Sequence, residues 1–391
     1  MLEEQKNALA QALSMAKKHG VDAVLIAGDV YDKTIPTVEG VRLFDSFLTD
    51  LKEAQIPVFV ISGNHDSAER LSFGRHLFEN SEIYFSGTYE EKILKKTLMD
   101  EFGEIDVYLL PFLKPQQIIV AEGEEQPEDY TAAIRLVLNR LQIDKNRRNV
   151  LLAHQFVGGG SSEPWRADSE TQSVGGVDMV DYRVFDGFDY VALGHLHGAQ
   201  HIGRAAVRYA GSPVNYSFSE ARQEKSVTLV TIGRKTAGKA GVNAICDDAE
   251  EMLVDRWKET AEGATVYAEI LIETLPLIPL HDMREIKGTL EQLTNPELLK
   301  ETDPLDYMHI TLTDEEEIYD VYGKLRAVYP NLMALDFDNS RTRAEGAAAV
   351  SGAAIRERTT MELFRGFYEQ QTGLALDEVQ EQIVASIIEN N

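Results

Sequence analysis

The sequence predicts an α/β layer fold built on a parallel sheet, and three observations support this. Apolar runs typical of buried strands alternate with amphipathic helical segments through residues 1–200. The run Val58–Ile61 follows Pro57 without a polar interruption, as expected of a strand buried on both faces of a parallel sheet. The chain has 391 residues, more than a single hydrophobic core normally serves, so we expect more than one domain.

The first elements set the pattern. Leu2, Leu9 and Leu13 recur at helical spacing, which predicts an amphipathic helix over residues 2–19 that ends at Gly20. A strand at Val21–Ala27, a helix over about 38–54 and the strand at Val58–Ile61 then form a β-α-β unit. Further strands, with a helix at Tyr130–Leu141, are predicted at Tyr84–Phe85, Val107–Leu110, Val150–Ala153 and Tyr190–Leu193.

The first domain is assigned to residues 1–250. Its predicted closing strands are Val227–Ile232 and Val242–Ile245, with a turn at Lys235–Gly241 between them. The glycine-rich stretch Gly158–Ser162 is expected to be a mobile loop near the functional site.

A small α/β unit over residues 255–338 is expected to form a separate cap. Its β-α-β-α-β order is predicted from segments at Val266–Ile272, Met283–Leu293, Tyr307–Leu312, Glu315–Val328 and Leu332–Phe337. Residues 339–354 are rich in alanine, glycine and serine and predict a flexible linker. Two short helices in 355–391 carry more apolar side chains than so small a unit can bury, so they pack on their own chain or on a partner.

Composition narrows the functional classes. The formal net charge of −27 argues against broad adhesion to nucleic acid or to an anionic membrane. It leaves a nucleic-acid enzyme open, because divalent metals and a partner can supply positive charge. Cys246 is the single cysteine, so the chain has no disulfide framework, which fits a reducing cytoplasm. We find no apolar run of about 18 residues and no signal-peptide pattern, and therefore expect no membrane attachment.

Polar residues follow four of the predicted strands. They are Asp29 in Gly-Asp-Val-Tyr-Asp, Asn64 in Gly-Asn-His-Asp, His154 in Ala-His-Gln, and His195 and His197 in Gly-His-Leu-His. Taken singly, each motif could have a purely structural role, as a turn, a helix cap or a buried histidine. Together, at the carboxyl ends of parallel strands, they predict a site for two divalent cations. Carboxylate, amide and imidazole donors without thiolate suit manganese, iron or zinc.

These motifs resemble those of the calcineurin-like metallophosphoesterases. Within that superfamily the stretches Gly63–Ser72, Gly194–His197 and Tyr209–Phe218 resemble the SbcD nuclease subunits of bacteria. The resemblance implies a calcineurin-like α/β sandwich with a small α/β capping domain and C-terminal helices. It also implies ATP-dependent exonuclease action on double-stranded DNA and endonuclease action on single strands and hairpins, in DNA recombination, replication and repair.

The resemblance also implies roles for individual residues. Asp29 would bridge two ions, expected to be Mn²⁺, while Asn64, His154 and His195 complete one site and His197 belongs to the other. His65 would be the catalytic residue facing the scissile phosphate. Asp66 is expected to orient His65, and Asp32 to hold its own loop. Five arginines are expected either to contact DNA phosphates or to serve as solvated salt-bridge partners: Arg70, Arg75, Arg204, Arg208 and Arg222.

The same resemblance implies an SbcC-like ATPase as partner, bound through residues 355–391, and a homodimer within a heterotetramer that acts on DNA. One feature departs from the family. Its members begin with a strand ending in Asp-x-His, which supplies ligands to the second ion, and here no Asp-x-His precedes Asp29. We therefore expect a sandwich that lacks its first strand, and little nuclease activity in the chain as written. Two explanations for the missing strand are open: a start codon assigned too late, or a true truncation. Two alternatives stay open: another calcineurin-like phosphodiesterase, or an SbcC-binding scaffold without catalysis.

Overall fold

The fold is described from a computed structural model. The structure describes residues 1–120, 125–159, 164–170, 178–238, 244–245, 253–255, 265–295, 303–316, 318–340, 342, 380 and 384. The chain divides into two compact units, Met1–Asp282 and Met283–Asn391. Within the described ranges, no helix has both the length and the apolar character needed to cross a membrane.

The helices begin and end at residues suited to capping. Helix α1 (Leu2–His19) ends at Gly20, which takes the left-handed conformation with φ 59°. Helix α2 (Val38–Glu53) begins after Thr37, whose side chain accepts a hydrogen bond from the Gly40 amide. The other described α-helices are α3 (Ala68–Leu71), α4 (Arg75–Phe78), α5 (Tyr130–Asn139), α6 (Leu290–Leu293) and α7 (Val321–Val328).

Two sheets form the centre of the first unit. The smaller one is parallel, with the strand order β1 (Val24–Ile26), β2 (Val58–Ile61) and β3 (Ile83–Ser86). The larger one has the order β10 (Gln200–Ile202), β11 (Arg204–Tyr209), β9 (Tyr190–Gly194), β6 (Arg148–His154), β5 (Gly103–Leu110) and β4 (Leu94–Asp100). Its four inner strands are parallel, and the outer strands β10 and β4 run antiparallel to their neighbours.

The two sheets pack face to face between helices. Phe59 and Ile61 of β2 share a buried cluster with Val107 and Leu109 of β5 and Leu152 of β6. Helices α1 and α2 pack with the other face of the smaller sheet, and α5 packs with the other face of the larger one. The predicted α/β layer fold and the sandwich implied by the resemblance are both confirmed. The polar residues at the strand ends, however, come from two facing sheets rather than from the one parallel sheet that the residue pattern predicts. The half-buried β1 is an edge strand of the described smaller sheet, whereas all of β2 is buried.

Two further groups of strands complete the first unit. A short ladder pairs β7 (Val157–Gly158) with β8 (Val180–Asp181). An antiparallel sheet has the order β12 (Ser226–Gly238), β15 (Thr265–Pro276), β14 (Leu253–Asp255) and β13 (Ala244–Ile245). Ile270 and Ile272 of β15 pack with Val150 and Tyr190 of the larger sheet. This packing places β15 in the first unit.

The second unit contains a parallel sheet of three strands, β16 (Met283–Gly288), β17 (Tyr307–Leu312) and β18 (Leu332–Phe337). One face of this sheet is apolar, and its Met308 and Ile310 pack with Leu325 and Tyr329 around helix α7. A small α/β unit is therefore present, as the sequence predicts.

The boundary between the units differs from the prediction. We expected the second unit to begin near residue 255, with the strand Val266–Ile272 as its first element. That strand pairs antiparallel with β12, so the division falls between Asp282 and Met283. The predicted turn at Lys235–Gly241 is wrong in its first half, because β12 continues through Gly238 after an irregularity beyond Ile232.

Two other predictions need correction, and some strands of the larger sheet were not predicted. Met283–Leu293 is the strand β16 followed by the short helix α6, not one helix. The helix predicted over Glu315–Val328 begins at Val321. One unpredicted strand is β4, which lies antiparallel beside β5. The predictions for the linker and C-terminal helices fall almost wholly outside the described residues, as do those for residues 160–162.

Candidate metal centre

Asp29 lies three residues beyond the end of β1 in a strained turn. Its φ is 49°, a left-handed conformation that residues other than glycine rarely adopt. Residues in such strained conformations cluster at functional sites. Its Oδ1 accepts a hydrogen bond from the His65 amide at 2.9 Å, and its Oδ2 lies 3.1 Å from His154 Nε2. Burial works to raise the pKa of Asp29, but His154 and the His65 amide outweigh it and hold that pKa below its usual value.

The Gly-Asn-His-Asp turn after β2 is fastened to the Asp29 loop by Asp66. The Asp66 carboxylate accepts hydrogen bonds from the amides of Gly63, Val30 and Tyr31 at 2.9, 3.1 and 3.0 Å. We expected Asp66 to orient His65, and the structure shows these contacts with the backbone instead. Asp66 therefore acts by holding two loops together, which places Asn64 beside Asp29.

His154, the last residue of β6, is fully buried. Its Nδ1 lies 2.6 Å from the Ala27 carbonyl oxygen, which can only accept, so Nδ1 carries the hydrogen. Nε2 then presents a lone pair to two oxygens, Asn64 Oδ1 at 3.0 Å and Asp29 Oδ2 at 3.1 Å. Three lone pairs that face one another require a proton or a cation between them.

His195 approaches the same point from β9. Its φ is 104°, a second strained backbone position, and its Nδ1 lies 2.9 Å from Asn64 Oδ1. Burial, helped by the neighbouring His154, lowers the pKa of His195 to about 4. The ring is therefore neutral at pH 7, the form that binds metals.

Glycines make this convergence possible. A Cβ on Gly63 would lie 2.0 Å from Asp29 Oδ1, and one on Gly194 would lie 1.8 Å from the Ala27 carbonyl oxygen. Any larger residue would push the strand ends apart.

The donor atoms fit a divalent cation. Asp29, His154 and His195 have ligand atoms that all lie within 4.8 Å of one another, and Asn64 adds an amide oxygen among them. Neighbouring contacts of 2.9 to 3.1 Å match the roughly 3 Å spacing of ligands around an octahedral ion bound at about 2.1 Å. Hydrogens on His154 Nε2 and His195 Nδ1 would satisfy these groups in pairs, whereas one divalent ion would engage all four donors at once.

His197 lies outside this group of four. Its Nδ1 faces a buried carboxylate, with Glu220 Oε1 at 3.2 Å, and its ring centroid lies 5.6 Å from that of Tyr216. Burial works to raise the pKa of Glu220, but hydrogen bonds from His197 and Lys225 outweigh it and lower that pKa to about 2. At Lys225 burial prevails and lowers the pKa of the ammonium group. We take the pair to be ionised, because its 2.6 Å contact stabilises both charges.

His65 and Asp32 meet through the backbone. The Nδ1 of His65 lies 3.0 Å from the Asp32 carbonyl oxygen and donates to it, which leaves Nε2 as the ring atom for exchange of a proton. The Asp32 carboxylate is exposed and lies near Lys33, so Asp32 steadies His65 through its carbonyl group.

The arginines separate into two groups. Arg204 lies at the start of β11, at the opposite end of the sheet from the metal centre, and bonds the carbonyls of Asp189, Phe185 and Phe188. Arg208 is buried and contacts Thr274. The structure therefore contradicts a phosphate-binding role for these two. Three others remain at or near the surface: Arg70 and Arg222, both exposed, and Arg75, which is paired with Glu90.

Two residues that lie beside His197, Glu220 and Lys225, were not predicted as parts of the site. Glu220 follows Ser217, whose side chain caps a 3₁₀ turn at Phe218–Glu220. The sequence offered one indication of its role, an acidic residue two positions after the stretch Tyr209–Phe218 that carries the family resemblance. Its proximity to His197 is visible only in the folded chain.

Two family profiles match the chain. The profile described as "Calcineurin-like phosphoesterase" matches residues 3–199, which include all four strand-end motifs. The profile described as "Type 5 capsule protein repressor C-terminal domain" matches residues 279–372. Fold and site thus define a calcineurin-like metallophosphoesterase, a class that uses divalent metal.

A curated relative narrows this further. The chain is 31% identical over 388 residues to the SbcD subunit of the nuclease SbcCD from Staphylococcus epidermidis, and the match covers 97% of this chain and 91% of the relative. The chain therefore belongs to the SbcD family of calcineurin-like phosphoesterases, and the resemblance drawn from its motifs is confirmed.

Proposed function

We propose that this protein hydrolyses phosphodiester bonds of DNA as the nuclease subunit of a complex with an SbcC-like ATPase. The observation that carries the proposal is the convergence of Asp29, Asn64, His154 and His195 at contacts of 2.9 to 3.1 Å in a member of the SbcD family. The relative's name makes it a component of SbcCD, and we extend that assembly to this chain.

The mechanism follows from what each side chain can hold. Bound divalent ions, for which we propose Mn²⁺, supply positive charge to the phosphate and lower the pKa of an attacking water. Asp29, Asn64, His154 and His195 would hold one ion. His65 keeps its Nδ1 hydrogen on the Asp32 carbonyl, so a second proton would have to sit on its Nε2. From the doubly protonated ring Nε2 would donate a hydrogen bond to the phosphate or give that proton to the leaving oxygen, and the ring would return to its neutral Nδ1–H form.

The second ion is held less completely. Among the described residues, Asp29 and His197 are the two that would hold it. Two protein donors are fewer than the three that a catalytic ion usually has, so we propose that the sequence as printed binds the second ion weakly and hydrolyses slowly.

A hydrolysis assay tests both parts. The printed sequence is compared with a version extended by an apolar strand ending in Asp-x-His, on linear duplex DNA and on a small nucleotide diester, with Mn²⁺. We expect the extended version to degrade DNA and the printed one to be much slower. Equal rates would refute the incomplete second site, and turnover of the small diester alone would refute the DNA assignment.

Variants of the extended version control this assay. His154→Ala removes a ligand and should abolish hydrolysis. His19→Ala, at the exposed end of α1 before β1, lies at the opposite edge of the sheet and should leave hydrolysis unchanged. Loss of activity in both variants would show that the assay reports folding rather than metal binding.

The assembly is also proposed from the family. We propose that residues 355–391 bind the SbcC-like ATPase, that the chain forms a homodimer within a heterotetramer, and that the complex acts in cytoplasmic DNA recombination, replication and repair. Ile383→Glu in the full chain should abolish co-elution with the ATPase, whereas Glu381→Gln should not. Co-elution that survives the Ile383 change would contradict this docking segment.

A further inference from the structure

A buried polar cluster lies behind His197, on the far side of its ring from Nε2. Glu220 is fully buried, with Oε1 at 3.2 Å from His197 Nδ1 and Oε2 at 2.6 Å from Lys225 Nζ. A buried carboxylate is unfavourable unless its charge is paired and hydrogen-bonded, and Lys225 meets that need.

The same cluster holds the backbone of His197. Lys225 Nζ donates to the His197 carbonyl and to Ser212 Oγ, both at 2.9 Å. The Ser212 amide donates to that carbonyl at 3.0 Å. The His197 amide donates to Glu170 Oε1 at 2.6 Å. The amide, the carbonyl and Nδ1 of His197 are thus all engaged. Among the residues that the structure describes, none bonds Nε2, which stays available to a ligand.

The chemistry of Nδ1 decides the tautomer. A carboxylate oxygen can only accept, so Glu220 requires a hydrogen on Nδ1. Ser169 Oγ, 3.2 Å from the same nitrogen and 3.3 Å from Glu220 Oε1, can accept from the ring or donate to the carboxylate and fits the same tautomer. The neutral ring then carries its lone pair on Nε2.

We infer that Glu220 is a positioning residue for metal binding: it holds His197 in the tautomer and orientation that present Nε2 to the second divalent ion. Lys225, with its Nζ 2.6 Å from Glu220 Oε2, is the charge partner of this buried carboxylate and holds it in place. This inference rests on the proposed function, because it assumes that His197 is a metal ligand. An acceptor behind a ligating imidazole typically changes metal affinity by about 10-fold to 100-fold.

A structural reading competes with this one. In it, the Glu220–Lys225 pair only stabilises the loop between β11 and β12, and His197 is an incidental neighbour. The two readings differ in two measurable quantities, the tautomer of His197 and the dependence of metal affinity on Glu220 when His197 is present or absent.

The experiment uses two double variants of the full chain that differ only in the acceptor. Glu220→Leu/Lys225→Met removes both charges and the acceptor, whereas Glu220→Gln/Lys225→Met removes the charges and keeps an amide oxygen. Replacing both partners avoids an unpaired buried charge, so both variants should fold. Mn²⁺ affinity is measured by electron paramagnetic resonance of the free ion, and the tautomer by ¹⁵N shifts of labelled histidine.

We expect the leucine variant to lose about 10-fold to 100-fold in affinity at the weaker site and to lose the Nδ1–H signal of His197. The glutamine variant should keep that signal and most of the affinity. In a His197→Ala background, adding the leucine variant should cause no further loss, because Glu220 acts through His197.

Wild-type affinity and an unchanged His197 signal in a folded leucine variant would overturn the inference. So would an equal further loss in the His197→Ala background. Absence of Mn²⁺ binding in the wild type would instead overturn the proposed function, and the nitrogen spectrum would still decide whether Glu220 sets the tautomer.

Discussion

Removal of the Asp66 carboxylate should separate the two loops that carry Asp29 and Asn64. Asp66 is 7% exposed and accepts hydrogen bonds from the amides of Gly63, Val30 and Tyr31. In Asp66→Ala these three amides lose their acceptor. A buried donor without a partner costs about 1–3 kcal/mol.

The magnitude follows from the surroundings of each amide. The Gly63 contact is buried and should cost the full penalty, whereas those of Val30 and Tyr31 are partly buried and regain some water. We therefore expect Asp66→Ala to lower the free energy of unfolding by about 3 kcal/mol rather than by three full penalties. Asp66→Asn keeps one acceptor oxygen and should cost about 1–2 kcal/mol.

The assay is urea unfolding combined with hydrogen exchange. The midpoint should fall in the order wild type, Asp66→Asn, Asp66→Ala, and protection should drop first at the amides of Val30, Tyr31 and Gly63. Asp50→Ala, an exposed position on α2, is the control and should change stability by less than about 0.5 kcal/mol. An Asp66→Ala protein within about 0.5 kcal/mol of wild type, with those amides still protected, would refute the reasoning.

Three further predictions concern other parts of the first unit. Gly63→Ala should abolish Mn²⁺ binding, measured by titration, because the added Cβ would lie 2.0 Å from Asp29 Oδ1. The hydrogen bond from Arg148 holds the pKa of Asp100 below its usual value, so this pair should stabilise the fold above about pH 4 and lose its contribution as the pH falls further. Asp100→Asn should cost about 2 kcal/mol near pH 7 and flatten that acid dependence in urea titrations. Arg204→Ala should lower the melting temperature without changing DNA affinity, because its guanidinium bonds backbone carbonyls.

Controls keep these outcomes separate. Gly40→Ala, near the start of α2, would bring its Cβ no closer than 3.3 Å to Thr37 Oγ1 and should leave metal binding intact. Arg70→Ala removes an exposed cation and should weaken DNA binding without loss of stability. A weaker DNA complex in Arg204→Ala, with unchanged DNA binding in Arg70→Ala, would contradict the structural role that we assign to Arg204.

Much of the site could be predicted from sequence, because its donors directly follow strands that are buried and therefore apolar. Asn64, His154 and His195 were all identified in this way. The residue pattern alone does not predict that two sheets face each other, since a buried strand has the same pattern whether a helix or a second sheet covers it. Only the resemblance to the calcineurin-like family implies the sandwich. The cluster behind His197 was also not predicted. Glu220 and Lys225 lie in the loop between β11 and β12, more than 20 positions after His197, and only the fold brings them beside it.

The errors have physical causes as well. Met283, Ile286, Leu290 and Leu293 recur at helical intervals, yet the first two lie on a strand whose pairing with β17 outweighs that pattern. The misplaced domain boundary arose because β15 pairs with β12, more than 25 positions earlier in the chain, and sequence spacing does not reveal such antiparallel partners.

The central claim is that side chains from both sheets coordinate a divalent ion. Anomalous diffraction at the manganese edge, from crystals of the protein soaked in Mn²⁺, tests it most directly. We predict a peak about 2.1–2.4 Å from Asp29 Oδ2, Asn64 Oδ1, His154 Nε2 and His195 Nδ1. A peak elsewhere, or none beside these four atoms, would contradict the account.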